Sequence, residues 1–189
     1  MNLNFHDAKP GKLNKCQITN NDDLELVIDL GHQPLCDTLL DENQLHSLEK
    51  NFPLRLYRSK SLGHGQLDYV VPSEEVYFPE YPYRPGITKE VQIHHLERSN
   101  EAIKNFDISE KSLIVDIGSN DGTLLNCYKQ KNMRVLGVEP TNTAKIAQKN
   151  GILTLQKFFD ENVAEEIISN HGLAKLVTAT NVFAHMSTM

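Results

Sequence analysis

Tryptophan is absent from these 189 residues, and cysteine is scarce. The three cysteines, Cys16, Cys36 and Cys127, are widely spaced and odd in number. That argues against a disulfide framework and makes a reducing cytoplasm the expected location. Basic residues are outnumbered: 19 Lys and Arg stand against 25 Asp and Glu, for a net charge of −6. A chain that grips a phosphate backbone needs clustered Lys and Arg, so this balance argues against nucleic acid as a partner. No apolar run approaches about 18 residues, which leaves nothing to span a membrane. Met1-Asn-Leu-Asn-Phe-His-Asp7 lacks the charged-then-apolar pattern of a secretion signal. Repeats and low-complexity segments are also missing. What remains, 39% apolar and 23% charged, suits a soluble protein of one to two domains.

The pattern changes near residue 110. Residues 1–88 hold seven of the eight prolines and no long helical period. Leu24–Leu30, Leu54–Tyr57 and Gln66–Val71 read as strands, and Asp41–Lys50 as a short helix capped by Asp41. Apolar burial of Leu26, Ile28, Leu54, Leu56 and Val70 is expected to hold this lobe. Pro79, Pro82, Pro85 and Gly86 form a stiff connector, and Thr88–Phe106 reads as a polar linker helix. From Lys111, strand and helix alternate. The strands are Ser112–Asp116, Arg134–Val138, Ile152–Leu155 and Leu173–Ala179. The helices are Thr123–Lys131, Asn142–Asn150 and Asp160–Ser169. Continuous apolar strands alternating with helices specify a parallel sheet covered on both faces. The expected fold is α/β: a strand-and-loop lobe over 1–87, a linker helix over 88–108, and the first half of a Rossmann-like sheet over 109–189.

The most specific signal is the strand–turn–helix around Asp116-x-Gly118-x-x-x-Gly122, with Glu139 at the tip of the next strand. Gly118 to Glu139 is 21 residues, the spacing at which a doubly wound fold sets an acid on ribose hydroxyls. A nicotinamide dinucleotide needs a neutral glycine-rich loop for its pyrophosphate. Here Asp116 and Asp121 would repel one, and the spacing is not Gly-x-Gly-x-x-Gly. S-adenosylmethionine carries an ammonium and a sulfonium and no phosphate, so acidic groups favour it. A buried turn in a cofactor-free sheet is the plainer reading.

Val115-Asp-Ile-Gly-Ser-Asn-Asp-Gly-Thr-Leu-Leu125, Leu136-Gly-Val-Glu-Pro-Thr141 and Thr180-Asn-Val-Phe-Ala-His185 together resemble the C-methyltransferases of nucleotide-linked 4-keto deoxysugars. Leu30–Leu35, Pro53–Leu56 and Gln66–Pro72 resemble that family's N-terminal zinc-binding domain. The resemblance covers nearly all of this chain but about half of a usual member, so a truncated member is expected. It implies S-adenosylmethionine as cofactor, a nucleotide-linked sugar as substrate, and methyl transfer to C3. Asp116, Gly118, Asn120, Asp121 and Gly122 would form the methionine-side loop, and Glu139 would take the ribose. Phe158 or Phe159 would lie near adenine, and Asn181 and His185 at the fourth strand's carboxyl end. Tyr81, Tyr83 and His185 are the catalytic candidates, with the sugar's principal acid–base residues expected in later segments. Two other readings stand beside this one: a non-catalytic module that at most binds cofactor, and a small-molecule methyltransferase completed by a partner chain.

The resembled domain holds zinc with two Cys-x-x-Cys pairs. Here these read Cys16-Gln-Ile-Thr19 and Ser59-Lys-Ser-Leu62, so one of four ligands survives and zinc is not expected. Cys16, His32, Cys36 and His64 offer an improvised alternative; otherwise Cys16 and Cys36 are small, partly buried residues. His94 and His95 are neighbours on a helix, about 100° apart, and do not converge on one metal. The fourth strand, with its partner side open, is expected to promote self-association.

Overall fold

The computed structural model describes residues 9–186. The N-terminal heptapeptide read above therefore lies outside the described residues. The chain divides into two compact units: residues up to Val76 together with those from His185 onward, and Tyr77–Ala184.

In the first unit, β1 (Gly11–Lys12) pairs antiparallel with β5 (Tyr69–Val70). A second sheet joins β2 (Leu24–Pro34), β3 (Asn51–Ser59) and β4 (Gly65–Leu67) in the order β2-β3-β4. The expected third strand is thus split at Asp68. Its buried carboxylate turns away to meet the Arg55 guanidinium at 2.7 Å. A single turn, α1 (Ser73–Val76), follows. Residues 41–50 form turns and no helix. Asp41 does accept the Asn43 and Gln44 amides, at 2.9 and 3.1 Å, but Leu48 is fully exposed. None of the described residues buries an apolar face there, and so short a helix does not persist on its cap alone.

Among the described residues the expected apolar core of this lobe is not formed, although Leu54 and Val70 are half-buried. Leu26, Ile28 and Leu56 are 49, 47 and 37% exposed. Its buried residues are instead Cys16, Ser59, Gln66 and Asp68. Polar groups survive burial only when hydrogen-bonded, and these are bonded. The Gln66 amide brackets Cys16, accepting from Gln17 N at 2.9 Å and donating to Lys15 O at 3.1 Å.

The second unit begins with a 3-10 turn, Pro85–Ile87, and α2 (Lys89–Asn105). There follow β6 (Leu113–Ile117), α3 (Thr123–Lys129), β7 (Arg134–Val138), α4 (Thr143–Lys149), β8 (Thr154–Leu155), α5 (Glu161–His171) and β9 (Leu176–Thr178). All strand pairs are parallel, in the order β8-β7-β6-β9. All of β6 is buried because it is covered on both faces. Ile114 packs with Leu124, Leu125, Tyr128, Ala147 and Ile152. Leu113 and Val115 pack on the other face with Leu136, Val138, Val163 and Ile167. Burying each such side chain contributes about 1.5–3 kcal/mol. This two-sided core fixes the carboxyl ends of β6 and β7, where the conspicuous motif lies. Among the described residues no helix is long and apolar enough to cross a membrane.

Candidate functional site

β6 carries Asp116 into the core at 4% exposure. Register sets it opposite Gly137 on one side and Thr178 on the other. Thr178 Oγ1 donates to Asp116 Oδ1 at 2.6 Å. Burial pushes the Asp116 carboxyl up to about 7; the Thr178 hydrogen bond opposes this and the Glu139 charge adds to it. Thr178 carries no local sequence signal, because the pairing exists only once β9 docks beside β6.

The loop after β6 turns on three left-handed residues, Gly118 (φ 66°), Asn120 (φ 50°) and Gly122 (φ 79°). At Gly118 a Cβ would sit 2.3 Å from Val182 Cγ2, so a side chain is barred by space as well as by conformation. Gly118 N and Ser119 N both donate to Val138 O, at 2.8 and 3.2 Å. Asn120 N donates to Glu139 Oε2 at 2.9 Å, and Thr141 N donates to Glu139 Oε1 at 2.9 Å. Glu139, 5% exposed, therefore fastens the loop after β6 to the loop after β7. Each oxygen carries one internal bond. A carboxylate has about four acceptor sites, so capacity for two hydroxyls remains.

Asp121 is differently engaged. Its Oδ1 accepts from Thr123 N at 3.2 Å and Thr123 Oγ1 at 2.6 Å, and its Oδ2 accepts from Gly86 N at 2.9 Å. The connector is thereby laid along the two loops: Tyr83 O accepts Asn120 Nδ2 at 2.9 Å, and Pro79 O accepts Asn142 N at 2.8 Å. Tyr83 is 52% exposed, while Tyr81 stacks edge-on against Tyr77 at 5.6 Å and Phe78 at 6.2 Å. Beyond β8, Phe159 packs against the Val163 cluster and Phe158 stays 40% exposed, which separates two phenylalanines that sequence left equivalent. Asn181 is exposed at a left-handed turn after β9 (φ 55°). His185 is exposed in the 3-10 turn Phe183–His185.

Two further residues shape the loop. Ser119 is buried, and its hydroxyl has no hydrogen-bond partner among the described residues. Facing it is Gly137, where a Cβ would lie 2.3 Å from Ser119 Oγ. A glycine inside a strand signals close approach of another group, so this pair had a readable trace in the sequence.

Among the described residues, no three His, Cys, Asp or Glu side chains come together as a metal site. Cys36 is exposed, not partly buried. Cys16 is buried; burial pushes its thiol up, but hydrogen bonds with Thr19 and Ser59 outweigh this and leave it lowered. The donor set at Cys16, Thr19, Ser59 and Leu62 does not fit zinc, which takes thiolate, imidazole or carboxylate ligands.

Residues 16–77 match a family described as a putative zinc binding domain, beginning at Cys16 itself. Over 175 residues, 92% of this chain, the sequence is 30% identical to the C-methyltransferase NovU of Streptomyces niveus. The chain is thus similar to a C-methyltransferase along nearly its whole length. Its parallel sheet, in the order β8-β7-β6-β9, follows the region that matches the putative zinc binding domain, and the chain spans 41% of that relative's length. Two solved structures overlap it in part. A SAM dependent methyltransferase from Aquifex aeolicus is 17% identical, with TM-score 0.30, over 42% of this chain and 49% of that one. Coclaurine N-methyltransferase is 22% identical, with TM-score 0.29, over 52% of this chain and 27% of that one.

Proposed function

We propose that residues 77–184 bind S-adenosylmethionine and form the cofactor-binding part of a methyltransferase acting on a nucleotide-linked 4-keto sugar. The observation that carries the reading is Glu139, held at the carboxyl end of β7 with both oxygens aligned by the Asn120 and Thr141 amides. A carboxylate fixed in this way suits a vicinal diol. Asp116 and Glu139 make the crevice acidic, which favours a ligand bearing ammonium and sulfonium and disfavours a pyrophosphate. Ligands of open parallel sheets occupy this end of the strands. Gly118, Asn120 and Gly122 shape the methionine side, Phe158 offers an exposed ring for adenine, and Asn181 lies past the end of β9. Asp121 acts here as the anchor of the connector.

The bound cofactor would supply a methyl group on a sulfonium leaving group. On the sugar, the C4 ketone acidifies the C3–H bond. A base takes that proton, the C3 carbanion forms the new bond to the methyl, and the sulfur keeps the electron pair of the bond that breaks. Tyr81 and Tyr83 are the candidates within this unit for handling the proton, while His185 belongs to the other unit; the relative's name and the motif resemblance support the carbon acceptor.

Isothermal titration with S-adenosylhomocysteine tests the cofactor reading. At a hundred times its dissociation constant, the ligand should stabilise the fold by about 2.7 kcal/mol. A flat titration and an unmoved melting temperature in folded protein overturn it. Transfer of labelled methyl to a nucleotide-linked 4-keto hexose tests the acceptor. Transfer to a phenol or amine but not to the keto sugar overturns that part alone.

A further inference from the structure

Cys16 and Ser59 open two turns that are copies of one another. Cys16 N donates to Asn21 O at 3.0 Å and Asn20 N donates back to Cys16 O at 2.8 Å. Ser59 N donates to His64 O at 2.9 Å and Gly63 N donates back to Ser59 O at 2.8 Å. The offsets, five and four residues, are the same in both. The fifth residue of each is left-handed, Asn20 at φ 58° and Gly63 at φ 77°. In each turn the first and fourth residues occupy the Cys-x-x-Cys positions: Cys16 and Thr19 in one, Ser59 and Leu62 in the other.

The two turns face each other across their first residues. Cys16 and Ser59 are 2 and 0% exposed, and Ser59 is a hydrogen-bond partner of the Cys16 thiol, as is Thr19. A carboxylate completes the junction. Asp23 accepts Ser59 Oγ at 3.1–3.2 Å and Ser61 N at 2.8 Å, and Leu62 N donates to Ser59 Oγ at 3.3 Å. Asn21 Nδ2 reaches Ser61 Oγ at 3.3 Å, linking turn to turn directly.

A tetrahedral metal would cross-link two such turns through four side chains. Here the cross-link runs through hydroxyls and one carboxylate, in a lobe whose buried side chains, among the described residues, are Cys16, Ser59, Gln66 and Asp68. We propose that this region is a metal knuckle pair converted to a metal-free polar clasp. Asp23, Ser59 and Ser61 hold together what a zinc ion would otherwise hold, while the paired backbone turns remain a competent metal cradle. The inference concerns the lobe alone and does not depend on the cofactor reading.

The experiment compares the full chain with T19C/S59C/L62C, which restores four thiols at the two turns. After expression with zinc and dialysis, the wild-type chain should hold no stoichiometric zinc, and its melting temperature should not move with chelator. Asp23→Ala, which removes the acceptor of Ser59 and Ser61, should lower the wild-type melting temperature by several degrees. The triple variant should hold one zinc per chain, lose lobe structure on chelation, and give thiolate-to-metal absorption with Co²⁺. T19C/L62C, which keeps Ser59 and hence the clasp, guards against a folding failure: it should fold without metal and still show thiolate-to-Co²⁺ absorption. Stoichiometric zinc in the wild type overturns the clasp, as does an unchanged melting temperature in Asp23→Ala. Absence of the Co²⁺ signal in both cysteine variants overturns the cradle.

Discussion

Asn120 and Glu139 are joined at 2.9 Å, backbone amide to carboxylate, across the mouths of two adjacent parallel strands. The bond makes one residue responsible for both the shape of the motif loop and the acid beside it. Glu139→Ala would orphan two amides, those of Asn120 and Thr141. Hydrogen bonds to a charged group contribute roughly 1.5–3 kcal/mol each, so a loss on the order of 3 kcal/mol is expected from urea unfolding. Glu139→Gln keeps one acceptor oxygen and should lose about half as much. If both variants match the wild type in stability, the fastening role is wrong.

Asp116 predicts a pH dependence whose sign follows from its raised carboxyl, at about 7 in the folded chain. In an unfolded chain aspartate ionises near pH 3.9. Between these values the folded state binds the extra proton, so stability falls as pH rises from about 4 to 7 and stays at the lower level above. Asp116→Asn should flatten this slope. A cationic ligand favours the ionised carboxyl, so binding near pH 6 should release a proton. Titration in buffers of different ionisation enthalpy reads that release directly; uptake of a proton would contradict the assignment.

Gly137 and Ser119 form a second testable pair. Gly137→Ala forces a methyl to 2.3 Å from Ser119 Oγ and 2.9 Å from Ser119 Cβ, so the loop must shift. Overpacking of this kind costs about 1–3 kcal/mol. Adding Ser119→Gly removes the clash, and the double variant should be more stable than the sum of the two single effects allows. Simple additivity in chemical denaturation would show that the loop accommodates the methyl elsewhere.

β9 stands at the end of its sheet with Val177 54% exposed. A free apolar edge is a template for pairing. Light scattering coupled to gel filtration should show concentration-dependent association, and Val177→Lys should shift the protein toward monomer. Equal monomeric behaviour of both proteins at high concentration would remove this edge as an interaction surface.

The second unit was legible in the sequence because its signals are local and redundant. The strands Leu113–Ile117 and Arg134–Val138 are apolar runs, the first ended by Gly118, and the helices after them, α4 and α5, carry their own start or stop signals. Asp160, for example, accepts Val163 N at 2.8 Å as the cap of α5. The 21-residue step from Gly118 to Glu139 likewise reflects one strand–helix–strand unit, so the loop and its acid could be found by counting. The sequence also showed that Thr19, Ser59 and Leu62 carry no thiol, which leaves Cys16 alone at the two Cys-x-x-Cys positions. Other features depend on which groups meet in three dimensions. The Thr178 bond to Asp116, the Gly86 bond to Asp121, and the choice between Phe158 and Phe159 arise only when distant segments dock. The lobe shows the same limit more sharply. Its alternating strands promised an apolar core, yet Leu26 and Ile28 are half exposed and Ser59 is fully buried. Hydrophobic pattern tells which side chains gain from leaving water. It does not tell whether a second layer is there to cover them, and among the described residues of this lobe Ser59, Gln66 and Asp68 are buried while Leu26 and Ile28 are not.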